Sequence, residues 1–271
     1  MSLKSFLECS VALGACALAT SSADGAAFTV GISPGKFELT ARPGEVIRDT
    51  VTLMNAGDEP GTYLFKTNDW QLNDKGGIEY LGDTIDDDSC RPWVRLERRS
   101  VEIVPGGEKN YRFEVHVPDD APDGLCRFAI IVEPTDPYVV NTADGHVSMP
   151  ILGRFAVLVY VTIGDAAADM SLQGLETTVV NGQRVPAIRL ENTGNTYDRV
   201  FGQVTAIDAS GMRHTLNASD FPILPGHTEA IALIPDASAA AGDESALPFP
   251  LRLEGRIEVG GERFSVEGTV D

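Results

Sequence analysis

Two short motifs occur twice in this chain, in the same order. The run Val51-Thr52-Leu53-Met54 leads into Asn55-Ala56-Gly57, and Ile188-Arg189-Leu190-Glu191 leads into Asn192-Thr193-Gly194. Later in each half, Ile103-Val104-Pro105-Gly106 is matched by Ile223-Leu224-Pro225-Gly226. Apolar, β-branched runs that end at Asn-x-Gly or Pro-Gly are strands entering turns. Their ordered recurrence predicts two related β modules, and 271 residues suffice for each to bury its own core.

The rest of the chain fits that reading. Tyr111–Val117, Phe128–Val132, Val157–Ile163 and Arg256–Val259 are strand-like, bounded by Gly, Pro, Asn and Asp. Within Tyr111–Val117 the apolar positions alternate strictly, which suits a strand with one buried face and puts His116 on the polar side. No stretch keeps a 3.6-residue period for three turns, so long helices are not expected. The expected fold is all-β, two antiparallel two-sheet sandwiches in tandem, which the family resemblance given below implies to be immunoglobulin-like. The small-residue stretch Gly164-Asp165-Ala166-Ala167-Ala168 sets the boundary: residues 27–163 form the first module and 164–271 the second.

Residues 1–26 read as a signal peptide. Lys4 precedes a short apolar run, Phe6–Thr20, and small residues follow, with cleavage expected after Ala23, Gly25 or Ala26. The run is shorter than the roughly 20 apolar residues of a membrane span. Leu13-Gly14-Ala15-Cys16 also resembles a lipoprotein box, which would make Cys16 the lipidated N-terminus. The sequence therefore points to an exported protein. Removal of the leader takes Cys9 and Cys16, leaving Cys90 and Cys126 to form one disulfide or to stay as two buried thiols.

The sequence gives little sign of chemistry. A net charge of −19, from 40 acidic and 21 basic residues, argues against a nucleic-acid partner, which requires a basic face. Nucleophile elbows, Walker loops and metal-binding helix motifs are absent. The four histidines lie far apart and there is no Cys-x-x-Cys pair. The acidic runs at Asp83, Asp86, Asp87, Asp88 and at Asp119, Asp120, Asp123 lack the spacing of a calcium loop and read as solvated turns. Trp70 and Trp93 read as core anchors. We expect no enzyme activity, no cofactor and no small-molecule substrate.

One segment suggests binding. In His146–Ile151 the apolar residues Val147, Met149 and Ile151 alternate, so they share one face of a strand. An edge strand of this kind can template a partner strand. The competing reading is that they form the inward face of the first module's last strand.

At this point the sequence resembles the periplasmic pilus chaperones of the PapD type, in their archaic-like branch. The residues that carry the likeness are Phe28–Pro34, Asn55-Ala56-Gly57, Pro92–Leu96 and Pro105-Gly106-Gly107. The resemblance implies a first domain that lends an edge strand to an incomplete pilus subunit and passes it to an outer-membrane usher. It also implies two cleft cations that anchor the subunit's terminal carboxylate. Lys36 stands near the first position and Arg154 near the second. Pro150 departs from the pattern, because it removes a backbone donor from the alternating strand. A second resemblance, through Phe37–Leu39, Gly76–Tyr80 and Val117–Gly124, is to surface proteins that bind WxL-domain partners. It implies a cell-surface adhesion or scaffold role instead.

Overall fold

The computed structural model describes residues 30–73, 77–141, 148–235 and 247–271. Residues 1–26, expected from the sequence to be a signal peptide and containing Cys9 and Cys16, lie outside the described residues, as does Val147.

The first module comprises β1 (Val30–Ser33), β2 (Lys36–Ala41), β3 (Val46–Asn55), β4 (Gly61–Asn68), β5 (Trp70–Leu72), β6 (Ile78–Tyr80), β7 (Val94–Leu96), β8 (Ser100–Ile103), β9 (Glu108–His116), β10 (Gly124–Pro134), β11 (Tyr138–Asn141), β12 (Ser148–Ile151) and β13 (Phe155–Ile163). One 3-10 turn, Arg91–Trp93, precedes β7. A four-stranded sheet, β1-β3-β9-β7, packs on a five-stranded one, β2-β13-β10-β4-β8. The chain crosses between the two sheets at the very start. β1 pairs with β3, and two residues later β2 pairs in parallel with β13.

The expected alternation holds in β9, where Tyr111, Phe113 and Val115 are buried. Facing them in the core are Phe128, Ile130 and Val132 of β10. Cys90 and Cys126 form a disulfide that ties the turn before β7 to β10. Trp70 is fully buried and donates Nε1–H to the Phe128 carbonyl, while Trp93 packs on the core with part of its surface exposed.

The second module comprises β14 (Met170–Val180), β15 (Gln183–Asn192), β16 (Asp198–Arg199), β17 (Phe201–Ile207), β18 (Arg213–Ala218), β19 (Pro222–Ile223), β20 (Thr228–Pro235), β21 (Leu251–Val259) and β22 (Glu262–Val270). Its main sheet runs β14-β15-β20-β18-β17-β21-β22 and folds over at β20. Thr228–Ala232 pairs with β15, and Leu233–Pro235 pairs with β18. A second core is enclosed this way, with Ile188, Leu216, Ile231, Leu253 and Val266 among its members. The fold is two immunoglobulin-like sandwiches in tandem.

The repeated motifs prove to be one device built twice. Asn55 Nδ2 donates to the carbonyls of Glu59 at 2.7 Å and Ile103 at 3.1 Å, and Oδ1 accepts from Gly57 N at 2.9 Å. Asn192 Nδ2 donates to the carbonyls of Thr196 at 2.8 Å and Ile223 at 2.9 Å, and Oδ1 accepts from Gly194 N at 3.0 Å. Each buried asparagine thus fastens its own turn to the matching Pro-Gly turn. Gly106 and Gly226 occupy the left-handed region there, with φ of 64° and 73°, which a Pro-Gly turn of type II requires.

Candidate functional site

β10 and β13 form a long hairpin, and β11 and β12 prolong it. Three residues intervene on each arm, 135–137 on one and 152–154 on the other. β12 pairs with β11 from Ser148↔Asn141 to Ile151↔Tyr138, with Pro150 held opposite Val139. The last strand of the first sandwich is therefore β13. The segment Ser148–Ile151 sits in an extension beyond it, and Ile151 at its end is exposed. Pro150 does not end the strand.

The sheet leaves one edge open along this extension. β2 covers β13 only from Leu158 to Ile163. Ala156 and Val157 are paired with β10 on one side and face no described strand on the other. β12 likewise has β11 as its only described neighbour. Ile151 and Leu152, at the bend between β12 and β13, are exposed.

The two predicted carboxylate anchors, Lys36 and Arg154, bind different acids. Arg154 Nε lies 2.8 Å from Glu133 Oε2, and the same carboxylate takes Lys66 Nζ at 3.0 Å through Oε1. Lys36 Nζ lies 2.8 Å from Asp220 Oδ2 and 3.6 Å from Glu38 Oε1. Asp220 belongs to the second module, so Lys36 stands at a junction.

That junction contains groups absent from the sequence-based site. Arg199 is buried, donating to Glu38 Oε1 at 3.0 Å and to the Asp220 carbonyl at 3.0 Å. Its guanidinium lies 5.4 Å from the ring centre of Tyr160 and 5.5 Å from that of Tyr197, and the two rings are 4.6 Å apart. Burial holds both phenols above their ordinary pKa, and the nearby Glu38 carboxylate adds to the effect at Tyr197. Burial works against the Arg199 charge, but Tyr160, Glu38 and Asp220 outweigh it, so the guanidinium stays ionised. Trp70, Leu125, Ala129, Ile131, Tyr160 and Leu224 complete an apolar cluster shared by both modules.

Arg199 lies seven residues after Asn192, where the first module carries Thr62 seven residues after Asn55. Divergence between the two copies just beyond the shared turn was the available signal. The acidic loop also needs correction: Asp86 and Asp88 are not merely solvated. They clamp buried Arg127 at 2.8 Å and 3.2 Å. His116 is exposed and paired with Glu114.

No protein-family model matches the chain, and no curated protein matches it. Many of the solved structures similar to it are PapD-like fimbrial chaperones. The YadV chaperone aligns at 13% identity and a TM-score of 0.45, covering 89% of this chain and 100% of its own. The class 5 fimbriae chaperone CfaA aligns at 13% identity and a TM-score of 0.46, covering 83% of this chain and 98% of its own. A chain of the CsuC–CsuE chaperone–tip subunit complex of Acinetobacter baumannii aligns at 14% identity and a TM-score of 0.41, covering 76% and 90%. At these identities the likeness is one of fold.

Proposed function

We propose that this chain is a periplasmic chaperone-like protein that binds pilus or other secreted β-rich subunits by lending them an edge strand. The observation behind the reading is the open edge: β12, then Ala156 and Val157, beyond the point where β2 stops. Main-chain pairing along such an edge supplies affinity, and alternate side chains supply selectivity. The alternation of Val147, Met149 and Ile151 provides that second element. Transfer of the bound subunit to an outer-membrane usher belongs to the same proposal. The role requires no catalytic group and no cofactor.

Co-expression with a small β-rich pilus subunit tests the reading. Met149→Glu places a charge in the row that would enter the partner, which is costly without a counter-charge. Capture should fall about 10-fold or more, each factor of ten corresponding to about 1.4 kcal/mol. Circular dichroism should show an intact fold. If the folded variant captures subunits as well as the parent does, the surface-scaffold reading takes over.

A further inference from the structure

The second module carries a hollow on the outer face of its main sheet, where β17, β21 and β22 run side by side. Phe201, Gly202, Arg256, Ile257, Glu258 and Arg263 line it, and its volume is about 300 Å³. Phe201 stands opposite Glu258, and Glu258 opposite Arg263, so one row of side chains crosses three strands. We propose that this hollow binds an acidic side chain of a partner protein together with an apolar residue beside it. The site belongs to a different module from the strand-docking edge and does not rest on that reading.

Three observations carry it. The first is an unclaimed cation. Arg213 and Arg252 share Glu254, and Arg263 Nε lies 3.3 Å from Glu258 Oε2. Arg256 is exposed on the same face and makes no ion pair among the described residues. Its guanidinium fork therefore keeps its donors for an incoming carboxylate. The second is the floor. Gly202 has φ of 125°, and a Cβ there would lie 2.8 Å from the Arg256 carbonyl oxygen and 3.2 Å from Ile257 Cα. Only glycine fits, which keeps that part of the hollow clear. Phe201 beside it is 63% exposed. A lone exposed aromatic is ordinary, but this one offers an apolar contact next to a free charge. The third is charge and size. The lining holds two arginines and one glutamate, which suits a single carboxylate, whereas a doubly charged phosphate would also meet Glu258. The net charge of −19 opposes approach to an anionic lipid plane, while one side chain meets only the local field. The volume is at the bottom of the range of ligand pockets, about 300–1,000 Å³, and suits side chains.

The probe is a fluorescein-labelled peptide of repeated Ser-Phe-Glu-Gly, amidated at its C-terminus, with a twin in which every glutamate is glutamine. Binding is read by anisotropy on the full chain. The parent should bind the acidic peptide about 5-fold tighter than its twin, the scale of one exposed charged contact. Arg256→Gln should erase that preference. Phe201→Ser should weaken both peptides about 3-fold and keep the preference. Both positions are exposed, so circular dichroism of the two variants should match the parent. Arg252→Gln removes an arginine that is already paired and should leave the preference intact. Equal binding of the twins to the parent, or a preference that survives Arg256→Gln, overturns the proposal. An equal loss in Arg252→Gln also overturns it, because the effect then comes from the general field of the face. Binding to phosphatidylglycerol vesicles but to neither peptide, lost in Arg256→Gln, gives the face to a lipid surface and overturns the protein partner. Binding of neither peptide and no vesicle overturns the site altogether.

Discussion

At the scale of residues, one asparagine in each module closes the end of a sandwich. Asn55 and Asn192 are buried, and each donates to two backbone carbonyls; Asn55 accepts from Gly57 N, and Asn192 accepts from both Gly194 N and Asp169 N. Replacing either by alanine leaves two buried carbonyls without their donor, at a cost of about 1–3 kcal/mol per group. We expect Asn192→Ala to destabilise by about 3 kcal/mol or more in denaturant unfolding. Asn192→Asp should be worse, because a carboxylate would face the same two carbonyls. The asparagines were visible in the sequence as a repeated motif, but their bonding was not. A turn signal states where the chain bends, and leaves unsaid that the side chain reaches a loop 31 residues away. The disulfide was partly legible for a similar reason. Two cysteines in a chain expected to be exported suggest a bond, and only the fold places their Cα atoms 5.3 Å apart. Opening this loop, of sequence separation 36, by Cys90→Ala/Cys126→Ala should cost about 3–4 kcal/mol, read as a shift in the unfolding midpoint.

At the scale of elements, β10 shows why a strand pattern can mislead about surroundings. Its run from Leu125 to Val132 is buried on both faces. One face lines the first core, and the other is covered by Trp70 and Tyr160 together with Leu224 of the second module. A continuous apolar run in the sequence announces double burial without naming the cover. A strand over Ser148–Ile151 was legible from the alternation of Val147, Met149 and Ile151. Its separation from β13 was not, since the bend at 152–154 carries no strong turn residue besides Gly153. Exposure of Ile151 and Leu152 permits a clean test of this element. Leu152→Ser should change stability by no more than about 0.5 kcal/mol, the usual range for surface sites. Ile151→Ser should likewise stay folded yet weaken capture of subunits in pull-down, because Ile151 belongs to the alternating row.

At the scale of the whole molecule, the two sandwiches meet over a built junction. We propose the module boundary at Gly164–Ala168, and Asn195 governs access to it. Its Oδ1 accepts from Ala167 N at 2.9 Å, its Nδ2 donates to the Asp123 carbonyl at 3.1 Å, and its own carbonyl accepts from Leu125 N at 2.7 Å. Gly194 beside it has no room for a side chain, because a Cβ would come within 2.4 Å of Ala167 O. Limited proteolysis should therefore cut this linker slowly in the parent and markedly faster in Asn195→Ala. Equal rates would show that the side chain does not guard it. The junction should also respond to alkali. Tyr160 and Tyr197 bind their protons more tightly folded than unfolded, so their contribution is present below pH 10, the ordinary phenol value, and is lost as pH rises beyond it. Linker cutting should accelerate in that window.

The central claim is that a partner adds a strand to the open edge. Hydrogen exchange of the chain, alone and bound to a captured subunit, reads this directly. The backbone amide of Ala156, on the same side of β13 as the Leu158 amide that donates to Gly35, and the alternate amides of β12 that point away from β11 should gain protection on binding, while β21 and β22 of the second module stay unchanged. Capture without added protection at that edge, or with protection confined to the second module, would contradict the account.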